Sequence, residues 1–111
     1  METVFITGAG AGIGRATAQH FAARGWFIGA ADLDEAALRS LQAGLGQAHC
    51  SVHVTDVVDA SSVRQALASF TARTGGRLDV LHNNAGLLRV GRFEEMALED
   101  HRQMVDVNLT G

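Results

Sequence analysis

The stretch Val4-Phe5-Ile6-Thr7-Gly8-Ala9-Gly10-Ala11-Gly12-Ile13-Gly14 leaves this chain little choice of fold. Its short apolar run reads as a buried strand. A glycine-rich turn follows, and Arg15-Ala16-Thr17-Ala18-Gln19 then opens a helical pattern. Strand, glycine turn and helix in that order present helix N-terminal amides to a phosphate. The first glycine permits a tight turn, and the later ones remove side chains where a pyrophosphate and the sheet must approach the backbone. The strict spacing G-x-G-x-x-G is absent; what stands here is T-G-x-x-x-G-I-G. A P-loop is excluded, because it needs a lysine after its last glycine and this chain contains no lysine. On the turn alone, a glycine bend without a ligand remains an open alternative.

Beyond the bend, apolar runs and helical stripes alternate. The first helix is expected to run to about Arg24 with Gly25 as its stop, and Ile13, Thr17 and Phe21 share one face. Trp26 to Ala31 reads as a second buried strand ending at Asp32. Asp34 can cap the next helix, whose apolar stripe is Leu38, Leu41 and Leu45 and whose end is marked by Gly44 and Gly46. A third strand is expected from Ala48 to Val54, closing near Asp56. Asp59 or Ser61 can cap a helix with Val63, Leu67 and Phe70 on its core face, ended by Gly75-Gly76. Leu78 to His82 reads as a fourth strand running into Asn83-Asn84-Ala85-Gly86. A loop holding Arg89, Gly91 and Arg92 is expected next, then a last helix from Ala97 or Leu98. Four strands alternating with helices predict an α/β fold, a doubly wound parallel sheet of Rossmann type with strand order 3-2-1-4. The order reverses between strands 1 and 4, and ligands of such sheets sit outside the carboxyl ends of the strands at that reversal. The glycine bend and Asn84-Ala85-Gly86 both fall there.

Composition narrows the classes. At 111 residues the chain is one domain at most. Apolar residues make up 47% and charged residues 19%, enough to build a core. The net charge is −3 and the nine cations are arginines scattered along the chain, so no basic block points to nucleic acid. No apolar run is long enough to span a bilayer, and the first residues read as strand rather than as a leader. Cys50 is the single cysteine, so no internal disulfide forms. Alternation puts Cys50, Val52 and Val54 on one face of their strand and His49, Ser51 and His53 on the other, which argues against a Cys-His nucleophile pair. A buried thiol and a cytoplasmic protein are expected.

Several residues carry candidate chemistry. Asp32 ends the second strand at the distance from the bend where a carboxylate can accept from the ribose hydroxyls of an adenine dinucleotide. The same charge repels the 2′-phosphate of NADP, and Leu33 follows where an arginine would welcome it; NAD is therefore the expected cofactor. Asp32 as a helix cap is the alternative, for which Asp34 is better placed. Asp56 ends the third strand and can meet the adenine amino group or serve as a loop residue. Asn83-Asn84-Ala85-Gly86 reads either as a simple turn or as a place where small residues admit a ribose or nicotinamide. Asn108 shares a helical stripe with His101, Met104 and Val105; its amide is satisfied by neighbouring backbone or holds a water for proton transfer. The histidines show no metal-ligand spacing, and no metal is expected.

Thr7-Gly8-x-x-x-Gly12-Ile13-Gly14, Asp32, Asp56-Val57, Asn83-Asn84-Ala85-Gly86 and Val107-Asn108-Leu109-Thr110-Gly111 stand in the order and spacing of the short-chain dehydrogenase/reductase family, which the chain resembles over its whole length. The resemblance implies hydride transfer between a nicotinamide dinucleotide and an alcohol or carbonyl substrate. It implies that Gly8, Gly12 and Ile13 hold the pyrophosphate region, with Ala11 and Gly14 in the same bend. Asp32 would take the adenosine ribose with Leu33 next to it at the cofactor, Asp56 and Val57 would border the adenine, and Asn84, Ala85 and Gly86 would line the inner half of the cofactor. Asn108 would be the first member of a catalytic Asn-Ser-Tyr-Lys set. The chain has no tyrosine and no lysine, so the family's Tyr-x-x-x-Lys motif is absent from it. The expectation is the N-terminal, cofactor-binding portion of a longer enzyme, a dimer or tetramer when complete, with strand 4 as an uncovered sheet edge. A dinucleotide-binding module without turnover, or an inactive fragment, is the alternative.

Overall fold

The computed structural model describes residues 1–56, 58–83 and 86–89. The elements run β1 Thr3–Thr7, α1 Gly12–Ala23, β2 Phe27–Asp32, α2 Glu35–Leu45, β3 Cys50–Val54, α3 Ala60–Thr74, β4 Val80–Asn83 and β5 Gly86–Arg89. They build a sheet of order β3-β2-β1-β4-β5. The first four strands are parallel, with Val4 opposite both Ile28 and Val80 and with Ile28 opposite Cys50. This is the doubly wound Rossmann-type arrangement expected from the alternation.

Alternate residues of each strand serve two cores. Phe5, Phe27, Ala31 and Leu81 pack with Val63, Leu67 and Phe70 of α3. Val4, Ile6, Ile28, Ala30, Cys50 and Val80 pack with Ala18 of α1 and with Leu38 and Leu41 of α2. Gly29 is the one place in β2 where a side chain has no room. A Cβ there would fall on the Phe70 ring and within 2.8 Å of the Phe5 ring.

Helix ends follow their residue types. Asp34 caps α2 by accepting from the Ala37 amide at 3.0 Å, and Asp59 caps α3 by accepting from Ser61 at 2.9 Å. The choice between Asp59 and Ser61 is thereby decided for Asp59. Gly75 closes α3 in the left-handed conformation (φ 69°).

Four expectations are corrected. Ile13 is not part of the core face of α1: it is 77% exposed, and the buried positions are Gly14 and Ala18. Small residues let α1 lie close on the sheet, which turns the Ile13 side outward. The third strand starts at Cys50 rather than Ala48. The fourth begins at Val80, because the Asp79 carboxylate just before it takes up the Thr3 amide at 2.8 Å. Residues 86–89, including Arg89, form a strand rather than a loop, pairing antiparallel with β4. The outer edge of β4 is therefore covered: exposed ladder groups on an edge strand accept whatever extended segment lies next to them. The helix expected from Ala97 or Leu98, with Gly91 and Arg92 before it, lies outside the described residues.

Candidate dinucleotide site

At the carboxyl end of β1 the chain turns through Gly8 (φ 68°) and Gly12 (φ 58°), conformations that side chains resist. Two hydrogen bonds hold the bend against the end of β2. The Ala9 amide donates to the Ala31 carbonyl at 3.1 Å, and the Gly10 amide donates to Asp32 Oδ2 at 3.0 Å. Gly14 lies against the start of the bend, where an added Cβ would fall on the Gly8 carbonyl oxygen. Ala11 is the N-cap residue of α1 and supplies no side-chain acceptor, and the first turn holds no acidic residue. The first amides of α1 thus carry no side-chain cap from the helix's own N-terminus. Ala11, Gly12 and Ile13 are all exposed there.

Asp32 spans two elements. Its Oδ2 takes the Gly10 amide, and its Oδ1 accepts from the Asp34 amide at 3.2 Å. It is not the cap of α2, since that is Asp34. Asp56 is committed to its own loop: its Oδ1 accepts from the Val58 amide at 3.1 Å, and its amide donates to Ser62 Oγ at 3.1 Å. The end of β3 is tied to the end of β2 by the Thr55 amide, which donates to the Asp32 carbonyl at 2.9 Å. Exposed apolar side chains stand around these strand ends: Leu33 at 65%, Val54 at 53% and Val58 at 81% exposure. Apolar side chains left bare beside a carboxylate suit the face and edge of an aromatic ring.

The structure therefore brings Gly8, Ala11, Gly12, Ile13, Gly14, Asp32, Leu33 and Asp56 to one end of the sheet. Gly86 takes its place in β5 opposite Asn83. Val57, Asn84, Ala85 and Asn108 lie outside the described residues. Three neighbours of this candidate site do not stand out in the sequence. Gly10 approaches Asp32 so closely that a Cβ would stand 3.0 Å from its Oδ2 and 3.0 Å from Ala37 Cβ. Its signal was a third glycine inside a bend that needs fewer for turning alone. Val54 and Val58 were readable only as large apolar residues next to an acidic strand end.

Cys50 and His53 take no part. Cys50 is buried in the core shared by α1 and α2, and burial pushes its thiol up to about 11 against the pull of Arg73. His53 lies on the opposite face, where its Nε2 and Ser51 Oγ share a hydrogen bond of 2.8 Å and its ring tilts against Phe5. Burial, with a smaller push from Arg73, lowers its pKa to about 4. His82 sits beside Asn83 on β4, opposite Ile6, and its buried Nδ1 has no hydrogen-bond partner among the described residues. Burial lowers its pKa as well. Among the described residues no cluster of His, Cys, Asp and Glu could hold a metal, and no helix is long and apolar enough to cross a membrane.

Comparison with known proteins agrees with this geometry. Residues 2–111 match the family described as short chain dehydrogenase. D-threitol dehydrogenase of Mycolicibacterium smegmatis is 40% identical over 99% of this chain and 43% of its own length. Serine 3-dehydrogenase of Agrobacterium fabrum is 40% identical over 98% of this chain and 43% of its own. Among solved structures, a short chain dehydrogenase/reductase from Burkholderia phymatum in complex with NAD superposes with a TM-score of 0.68 and 32% identity. That match covers 72% of this chain and 29% of that one. A 3-ketoacyl-(acyl-carrier-protein) reductase from Brucella melitensis complexed with NADH gives 0.67 and 28%, over 72% of this chain and 32% of that one. The chain thus spans less than half the length of the curated relatives it matches. With a glycine bend clamped to a strand-end carboxylate and a family match along nearly its whole length, the chain belongs to the short-chain dehydrogenase family.

Proposed function

We propose that residues 1–111 are the N-terminal, cofactor-binding portion of an NAD-dependent oxidoreductase acting on an alcohol or carbonyl substrate. One observation carries the reading. The bend whose helix start lacks any side-chain acceptor is hydrogen-bonded, through Gly10, to the carboxylate of Asp32. Amides that attract a pyrophosphate and an acid that accepts from ribose hydroxyls are therefore held on one rigid piece of backbone. Leu33, Val54, Val58 and Asp56 would flank the adenine, with Val57 beside them. Asn84, Ala85 and Gly86 would border the inner half of the dinucleotide, and Asn108 would serve the proton relay. When bound, the nicotinamide supplies the hydride-exchanging carbon; these residues supply binding and orientation. Two relatives, the proteins from B. phymatum and B. melitensis, are described with NAD and NADH, which supports a nicotinamide dinucleotide. Asp32 argues for NAD over NADP. Two unit charges ~4 Å apart repel by about 4 kcal/mol at an effective dielectric of 20, and a fraction of that gives tenfold discrimination.

The test is a pair of dissociation constants on the full-length protein. Asp32→Ala is expected to bring the NAD and NADP affinities closer together by about tenfold. An unchanged ratio would remove Asp32 from the ribose site. Turnover with an alcohol in the presence of NAD separates an enzyme from a binding module. A homo-oligomer is part of the same proposal, and light scattering measures it.

A further inference from the structure

At the opposite end of the sheet from the glycine bend lies a cavity of about 430 Å³. Its walls come from the amino ends of β1 and β2, the approach to β3 and the last turn of α3. Its chemistry is two-sided. Met1, Phe27 and Ala48 make an apolar side, whereas Arg73 and Arg77 bring two guanidinium groups. Both cations are pre-positioned by the protein. Arg73 lies with its Cζ 5.2 Å from the centre of the Phe27 ring and donates through Nη2 to the Gln47 carbonyl at 2.9 Å. Arg77 is held through Nε by Asp79 Oδ2 at 2.8 Å, and that carboxylate is itself pinned by the Thr3 amide. No hydrogen bond to protein occupies the remaining Nη groups of Arg77, nor Nε and Nη1 of Arg73, among the described residues.

A guanidinium whose stem is already ordered loses less freedom when it grips an oxyanion, and its planar fork matches two oxygens at once. Asp79 pairs with one of the two guanidinium groups and holds it in place. The volume falls within the range of small-molecule sites, roughly 300–1,000 Å³, and the apolar wall asks for a hydrophobic body. We infer that this cavity binds a small organic oxyanion, a carboxylate or phosphate monoester with a short aromatic or aliphatic body, seated between Arg73 and Arg77 over the Phe27 edge of the sheet. This site is independent of the dinucleotide proposal, because none of its lining residues belongs to the bend or to the strand ends around Asp32.

The probes are benzoate, phenyl phosphate and inorganic phosphate, titrated by calorimetry into the full-length protein with and without saturating NAD. Benzoate is expected to saturate with a dissociation constant of about 1 mM or tighter. Phenyl phosphate is expected to bind in the same range and inorganic phosphate at least about tenfold more weakly, since it forgoes the apolar wall. Arg73→Gln and Arg77→Gln should each weaken benzoate by about tenfold while NAD affinity stays as it was. Should Arg77→Gln disturb the Asp79–Thr3 hydrogen bonds and lower the melting temperature, Arg73→Gln, at an exposed position on α3, carries the test alone. Absence of saturable benzoate binding, unchanged affinity in Arg73→Gln, equal affinity for inorganic phosphate, or displacement of benzoate by NAD would each overturn the inference.

Discussion

Gly14 shows how much a missing methyl can decide. A Cβ there would strike the Gly8 carbonyl, so the bend and the first turn of α1 touch only because both sides are bare. Gly14→Ala is expected to cost about 1–3 kcal/mol of stability, the usual penalty for overpacking, and to weaken NAD binding as the bend shifts. Urea unfolding measures the first and calorimetry the second; a variant as stable as the parent would mean that the bend yields freely. His53 makes a different prediction. Its folded pKa is lowered to about 4 by burial, whereas an unfolded histidine titrates near 6.5. Between those values the unfolded chain holds more protons, so stability is fully present above pH 6.5 and falls as the pH drops toward 4. The loss is on the order of 2 kcal/mol once solvent access to the ring is allowed for. His53→Gln should flatten the melting temperature across that interval, and an unaltered slope would assign the effect to other groups. Among single residues, Asp32 and the glycines of the bend were legible from type and spacing. The close approach of Gly10 to Asp32 was not, because it depends on where β2 ends in space.

At the scale of elements, periodicity and capping were informative wherever the decisive contacts are local. Leu38 and Leu41 are buried as the α2 stripe implies, and so are Val63, Leu67 and Phe70 of α3. α1 misled at its start: Gly14 and Ala18 face the sheet and Phe21 packs against the same core, whereas Ile13 faces out. A helix that must lie close to a sheet hides behind small residues, which a hydrophobic stripe does not register. α3 gives a direct test of a local signal. Asp59 accepts from both Ser61 and Ser62, the second at 3.4 Å. Asp59→Ala should lower stability by about 1 kcal/mol without changing the denaturant dependence, as loss of a helix cap does. A change below a few tenths would show that water replaces the cap at no cost.

Across the whole molecule, β1 is the axis. It pairs with β2 on one side and β4 on the other, and Val4, Phe5 and Ile6 are fully buried. β3 lies at the sheet edge, with Val54 exposed. Hydrogen exchange should therefore find peptides covering Thr3–Thr7 more protected than those covering Cys50–Val54. The reverse order would contradict β1 as the most stable part of the sheet. This same arrangement sets the carboxyl ends of β1, β2 and β3 side by side, so that residues distant in the chain meet at the bend. Alternating apolar runs, glycine stops and aspartate caps determined the elements, because each of those signals acts between near neighbours along the chain, and the strand–helix alternation together with right-handed crossovers restricted the order of the parallel strands. Packing decided what no neighbour rule contains. It placed Gly10 on Asp32, ringed the strand ends with bare valine and leucine, set a half-buried His53 beside Phe5, and laid β5 along the edge of β4. Those outcomes depend on through-space distances between segments, which exist only once the sheet has closed around its two cores.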